Sequence, residues 1–305
     1  MLEKYKEIEN IIDEKDRILY NESMKKHNTV KVGGIADVIV LPKTVEEIKG
    51  LLNFVKKNNI PYYVIGCGSN LIVTDDDIHA VIIKITNKFG KVYVNENVIT
   101  ADAGASMPYI SITAKRNLLS GFEFSCGIPG TIGGGVRMNA GAYGSEIKDI
   151  FLQATYIDSD GNINTINKDE MEFGYRHTFF SNHPDFVIIS AKFVLNKKDM
   201  SEIESKMNEN SLARRTKQPL EYPNFGSVFK RPEGYFVGKL VSDAGLRGFK
   251  IGGAQVSEKH TGFIVNTGNA TCKDIVDLIH HIQKVVYEKF GVNLESEVVY
   301  IGGKL

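Results

Sequence analysis

GIPGTIGGGVRMNAGAYG, residues 127–144, is the stretch on which the reading of this chain turns. Six glycines fall between Gly127 and Gly141, interleaved with small residues. With so little side-chain bulk, the backbone N–H groups can approach and cradle a flat or phosphate-bearing ligand. The plain alternative is a tight structural loop. A shorter element of the same kind, GCGSN at residues 66–70, follows the apolar run Tyr62–Ile65. Gly-x-Gly-Ser at the carboxyl end of a strand can turn amide protons toward a pyrophosphate, and a tight turn without ligand reads equally well. The fingerprint G-x-G-x-x-G is absent, and Leu71-Ile72-Val73 continues as strand rather than helix. A standard nicotinamide-binding doubly wound sheet is therefore disfavoured.

Upstream of these loops, Ala36–Leu41 reads as a strand. Thr44 with Glu47 three residues on has capping-box spacing, and Val45, Ile48, Leu51, Leu52 and Val55 recur on one helical face. Strand, helix and the strand Tyr62–Ile65 predict a parallel pair with a right-handed crossover. The N-terminal MLEKYKEIENIIDEKDRIL reads as an amphipathic charged helix. From Ala80 the texture changes to short strands: Ala80–Ile85, Lys91–Val94 and Val98–Ala101. A helix from Ser106, two strands flanking Asp158–Gly161 and a strand Phe186–Leu195 follow. Lys198–Pro219 reads as a helix plus linker with a domain boundary near it. Beyond it come a helix Tyr235–Ala244 ending at Gly245, strands Ala254–Val256 and Phe263–Val265, a long helix from Thr271 to Gly291, and a final strand Leu294–Ile301. The fold class is α+β.

Lysine plus arginine (37) balances aspartate plus glutamate (37), so no global field draws in nucleic acid or an anionic membrane. No segment approaches the length needed to cross a bilayer, and the acidic N-terminus argues against a signal peptide. Cys67, Cys126 and Cys272 are widely separated and form no CxxC pair, which suits reduced thiols in a cytoplasm and no metal. Arg176, Ser227 and Glu297 are ordinary when taken singly: a surface charge, a turn residue and a structural ion pair. His177 and His260 read as structural histidines.

The two loops together resemble the FAD-binding domain of vanillyl-alcohol-oxidase (PCMH) type flavoproteins. With NTVKVGGIAD (28–37), GYRHTFF (174–180), PNFGSVFKRP (223–232), AGLRGFKIGGAQVSEKHTGFIVN (244–266) and LESEV (294–298), the chain resembles the UDP-N-acetylenolpyruvoylglucosamine reductase family from residue 28 onward. This resemblance implies residues 1–80 as a first FAD-binding subdomain joined by 294–305, residues 81–200 as a second, and 212–293 as a substrate-binding domain. It implies non-covalent FAD, NADPH as co-substrate, a UDP-sugar substrate, and a monomer. Arg176, Ser227 and Glu297 become its catalytic set: the guanidinium, helped by Glu297, for the charge of an aci-enolate, and the hydroxyl for its proton. Gly66, Gly68, Ser69, Asn70, Gly127, Pro129, Gly130, Thr131, Gly133, Gly134, Asn139, Gly141 and Ala142 are implied at the cofactor. Tyr175, Arg215, Lys217, Gln218 and Asn224 are implied at the substrate. Thr178 and Thr261 depart from the family's usual serine and alanine. The rival readings are a flavin oxidase of the same superfamily and a non-catalytic flavin- or nucleotide-binding module.

Overall fold

Thr44 opens the helix Val45–Lys57: its Oγ1 accepts the Glu47 N–H at 3.1 Å. Ile48, Leu51, Leu52 and Val55 are buried along one face, as their spacing predicts. Glu47 does not close the capping box. Its carboxylate instead takes the Lys43 N–H at 2.6 Å and both Arg17 terminal nitrogens at 2.7 and 2.8 Å. Arg17, only 1% exposed, also reaches Asp13, Glu14 and the Leu41 carbonyl.

The structure is a computed structural model that describes residues 3–303. The expected N-terminal helix is not continuous. A 3-10 turn Glu3–Tyr5, a single helical turn Ile8–Ile11, a 3-10 turn Lys15–Arg17 and a strand Ile18–Ser23 replace it. Met1 and Leu2, part of that expectation, lie outside the described residues. Tyr5, Ile8 and Ile12 share a helical face, Ile18 would fall well off it, and all four enter one core, which a single helix could not serve.

The chain divides into two units. The first comprises Met1–Tyr20, Val38–Cys67 and Ala80–Arg214. Its main sheet has five antiparallel strands in the order Ile163–Asn167, Phe151–Ile157, Val187–Val194, Val98–Asp102, Val92–Asn95. The helix Met107–Arg116 starts where expected, with Ser106 Oγ accepting the Tyr109 N–H. In a four-stranded sheet, Ile78–Lys84 stands between Ile35–Val40 and Tyr62–Ile65. The expected direct pair is thus corrected: the parallel partner of Tyr62–Ile65 is Ile78–Lys84. A later strand has taken the middle position, which no local pattern announces. Residues 200–217 form an unbroken helix with no linker. It is anchored by Ile203, by Asn210 donating to the Glu123 carbonyl, and by Cys126 against Ser211.

The second unit comprises Asn21–Asp37, Gly68–His79 and Arg215–Leu305. Its sheet runs Asn224–Ser227, Phe263–Asn266, Ala254–Val256, Lys250–Ile251. The helix Cys272–Phe290 is opened by a Thr271/Asp274 capping box and closed by Gly291 at φ +69°. The Asp75 carboxylate, far away in sequence, accepts the Cys272 and Lys273 N–H groups at the same end. The final strand is shorter than expected, Val299–Ile301, and pairs in parallel with Leu71–Val73. Over 294–298 the Ser296 hydroxyl takes the Val298 N–H and donates to the Val228 carbonyl, competing with a ladder. Lys304 and Leu305 lie outside the described residues. Among those residues no helix is long and apolar enough to cross a membrane.

Candidate active site

In the first unit the two glycine elements meet. A Cβ placed on Gly66 would stand 2.4 Å from Thr131 Oγ1, so only glycine lets the first loop lie against the second as they stand. Gly133 is similarly close to Ala103, and Gly135 to the Met107 sulfur. The Ile132, Gly133 and Gly135 N–H groups are spent on the Ala105, Ala103 and Thr131 carbonyls. By contrast, the N–H groups of Cys67, Gly127, Thr131 and Gly134 donate to no protein acceptor among the described residues, and Gly134 is exposed. Unpaired amides in a glycine-lined surface fit an anionic, flat cofactor such as FAD. Pro129 is exposed beside them, and Gly130 hands its carbonyl to the Met107 N–H. Burial pushes the Cys67 thiol above its usual pKa, with Lys84 offsetting this only in part, so it stays protonated.

Arg176 lies at the tip of a tight turn. It occupies a two-residue turn, Tyr175-Arg176, closed by reciprocal hydrogen bonds between Gly174 and His177 at 3.0 and 3.3 Å. Its φ is +55°, in the left-handed region. One guanidinium nitrogen reaches the Gly141 carbonyl at 3.4 Å, and the exposed Tyr175 ring lies 5.1 Å from its Cζ. Asn139 was expected at the cofactor. It is completely buried, its amide nitrogen bound to the Gly174 carbonyl and its oxygen to the Lys148 N–H. Ala142 and Gly141 pair with Ser145 and Glu146 in a short hairpin.

In the second unit Ser227 and Glu297 are neighbours. The Glu297 N–H donates to the Val228 carbonyl at 3.0 Å, and Phe229 bridges Ser296. Ser227 is exposed, while Phe225, Val228 and Phe229 around it are buried anchors. The strand register is irregular between Asn224 and Ser227. Glu297 lies in an irregular segment, not the apolar strand expected. The Asn70 side chain donates to its carbonyl at 2.9 Å. Among the described residues the N–H groups of Gly68 and Ser69 meet no protein acceptor. The side chain of Asn224 is committed to its own turn, donating to the Tyr222 and Pro219 carbonyls and accepting the Gly226 N–H. Arg215 and Lys217 are exposed and Gln218 half-buried. Burial pulls the His260 imidazole below its usual pKa, and its Nδ1 accepts the Gly262 N–H, which gives it a structural role.

From the basic cluster Arg214, Arg215 and Lys217, the sequence reading chose Arg215 and Lys217 and left Arg214 out. In the first unit, its Cδ stands 2.6 Å from where a Cβ on Gly127 would be. Burial lowers the pKa of its guanidinium, against the opposing influence of Tyr143 and Cys126. The signal was helical: Ile203, Met207, Asn210, Ser211 and Arg214 share the inward face, and Arg215 does not.

Gly68 makes the first loop testable. Its φ is +71°, and a Cβ would meet the His27 carbonyl oxygen at 2.3 Å. Gly291 has nearly the same φ, +69°, with nothing within 4 Å. Gly291→Ala should therefore cost about 1–2 kcal/mol through conformation alone, whereas Gly68→Ala adds a backbone clash. In a fluorescence titration of apoprotein, Gly68→Ala should weaken FAD binding while Gly291→Ala leaves it unchanged; equal affinities would contradict a cofactor role for the loop.

The loops and the two units define a flavoprotein of two-part build. The FAD binding domain family matches residues 36–167, and the C-terminal domain of UDP-N-acetylenolpyruvoylglucosamine reductase matches residues 218–301. A reductase of that name from Caldanaerobacter subterraneus is 46% identical over 94% of this chain and 95% of its own. One from Clostridioides difficile is 46% identical over 96% of each. The crystal structure of the Thermus caldophilus reductase matches with TM-score 0.79 at 31% identity, covering 93% of this chain and 98% of that one. The chain belongs to the UDP-N-acetylenolpyruvoylglucosamine reductase family.

Proposed function

We propose that the protein reduces UDP-N-acetylglucosamine enolpyruvate to UDP-N-acetylmuramate with NADPH, as a monomer in the cytoplasm, for peptidoglycan precursor synthesis. The observation that carries this is the end-to-end match to the reductases, with both of the family's domains present. Bound FAD supplies the hydride chemistry that no side chain possesses. The amides of the 66–70 and 127–144 loops would hold it.

The remaining chemistry belongs to the chain. Hydride arriving at the terminal methylene carbon of an enolpyruvyl ether drives negative charge onto the neighbouring carbon and into the carboxylate. The Arg176 guanidinium, which cannot lose its proton, holds that carboxylate and stabilises the charge. Glu297 contributes to stabilising that charge. The exposed Ser227 hydroxyl donates the proton that completes the reduction; a hydroxyl is a weak acid, but the carbanionic carbon is a strong base. Tyr175, Arg215, Lys217 and Gln218 meet the UDP-sugar, the cations pairing with its diphosphate.

The test is NADPH consumption by FAD-loaded protein with and without the UDP-enolpyruvyl sugar. Consumption should depend on the sugar and yield a product with two added hydrogens. Sugar-independent consumption that makes hydrogen peroxide would sink the reading in favour of an oxidase.

A further inference from the structure

The turn that carries Arg176 is not self-supporting. Its base is a single pair of reciprocal hydrogen bonds between Gly174 and His177, and Arg176 sits at φ +55°, a conformation that non-glycine residues adopt at a cost in free energy. Something outside the turn must hold it there. Several contacts come from residues 137–141, within the second glycine element.

Asn139 grips the near end. It is 0% exposed, its Nδ2 donates to the Gly174 carbonyl at 3.0 Å, and its Oδ1 accepts the Lys148 N–H at 3.0 Å. A carbonyl on one side and an N–H on the other leave one orientation of the amide. Asn139 itself is at φ +45°, where asparagine is among the better-tolerated side chains. Arg137 grips the far end. Its guanidinium donates to the Phe180 and Phe186 carbonyls at 2.6 and 2.5 Å, and its own carbonyl accepts the hydroxyl of the fully buried Thr178 at 2.6 Å. Tyr156 stacks on Phe186 at 5.3 Å and meets Phe180 edge-on, which fixes the segment beyond. Gly141 then receives the Arg176 guanidinium.

We infer that Asn139 is a positioning residue for Arg176: its buried side-chain amide ties the Gly174 carbonyl to the glycine element and so sets where the guanidinium points. Thr178, clamped to the Arg137 carbonyl, does the same from the other end. The inference deepens the proposed reductase reading, since it assigns the aim of the group that meets the substrate carboxylate.

The experiment has two arms. Hydrogen–deuterium exchange of ligand-free protein reads the turn directly. In Asn139→Gly, which keeps the left-handed backbone easy but removes both bonds, amides of residues 174–178 should exchange at least about tenfold faster, while those of the helix Cys272–Phe290 stay unchanged. Half-reaction kinetics on FAD-loaded protein form the second arm. Oxidation of the reduced enzyme by the UDP-enolpyruvyl sugar should slow by roughly tenfold to a hundredfold, as misplacement on the ångström scale does. Reduction by NADPH should change much less. Thr178→Val should reproduce this pattern and Thr178→Ser, which keeps the hydroxyl, should not; these serve if Asn139→Gly does not fold. Unchanged exchange at 174–178 overturns the inference, as does a parallel loss in both half-reactions. If wild-type protein shows no sugar-dependent oxidation, the reductase reading fails instead, and the exchange arm still decides whether Asn139 holds the turn.

Discussion

Replacing Ser227 by alanine is expected to lower sugar-dependent turnover by about two to four orders of magnitude, the usual contribution of a positioned proton donor. The fold should tolerate the change. Ser227 is exposed, its neighbours Phe225, Val228 and Phe229 supply the burial, and the backbone of the segment is fixed by Val228 N–H to the Gly262 carbonyl and by Glu297 N–H to the Val228 carbonyl. Because the hydroxyl acts only when the substrate carbon accepts its proton, reduction of bound FAD by NADPH should remain nearly intact. Equal loss in both half-reactions would assign Ser227 to cofactor binding rather than proton transfer. No loss in either would favour a non-catalytic binding module.

The second large effect concerns stability. Arg17 is buried under Glu47, with Asp13 and Glu14 completing the cluster. Arg17→Met should destabilise the protein by about 3–5 kcal/mol, because it strands the Glu47 carboxylate in a site 10% exposed. Adding Glu47→Leu should recover much of the loss, since no uncompensated charge is left buried. The pH dependence has a definite sign. Burial pushes the Glu47 carboxyl up, but the Arg17 guanidinium and the Lys43 N–H together outweigh it, so its pKa lies below the usual glutamate value. A group depressed on folding contributes stability above its unfolded pKa and loses it as pH falls through the folded one. Arg17→Met should therefore flatten the acid limb of a denaturation profile. A change below about 1 kcal/mol, typical of exposed pairs, would show the cluster to be a surface feature instead.

Neither effect was equally visible in the amino-acid sequence. Elements with their own punctuation were legible: Thr44 before Val45–Lys57, Ser106 before Met107–Arg116, and Thr271 with Gly291 around Cys272–Phe290 all stand where their capping residues predict. Elements decided at long range were not. Arg17 looks like the polar face of a helix until Glu47, on another element, draws it inside. The middle position of Ile78–Lys84 in its sheet depends on pairing, not on local pattern. In the polar helix Met200–Lys217 the inward face is marked only by Ile203, Met207, Asn210 and Ser211, too weak a signal to set Arg214 apart from Arg215.

The same division holds at the candidate site. The loops at 66–70 and 127–144 drew notice as glycine runs, which a tight turn would also explain; among the described residues the N–H groups of Gly127, Thr131 and Gly134 meet no protein acceptor, which leaves donors for the proposed cofactor. Asn139 was read as a ligand residue because it lies within such a run, yet burial has turned its side chain toward Gly174 and Lys148. Ser227 and Glu297 drew notice only as parts of a family pattern. Their adjacency rests on the Val228–Glu297 hydrogen bond, which links distant stretches of chain.

Anaerobic stopped-flow absorbance of the FAD-loaded protein tests the central claim most directly. NADPH should bleach the flavin band, and the UDP-enolpyruvyl sugar, added next in the absence of oxygen, should restore it within a turnover while yielding the lactyl ether. A flavin that stays bleached with the sugar and recovers at once in air would contradict the account.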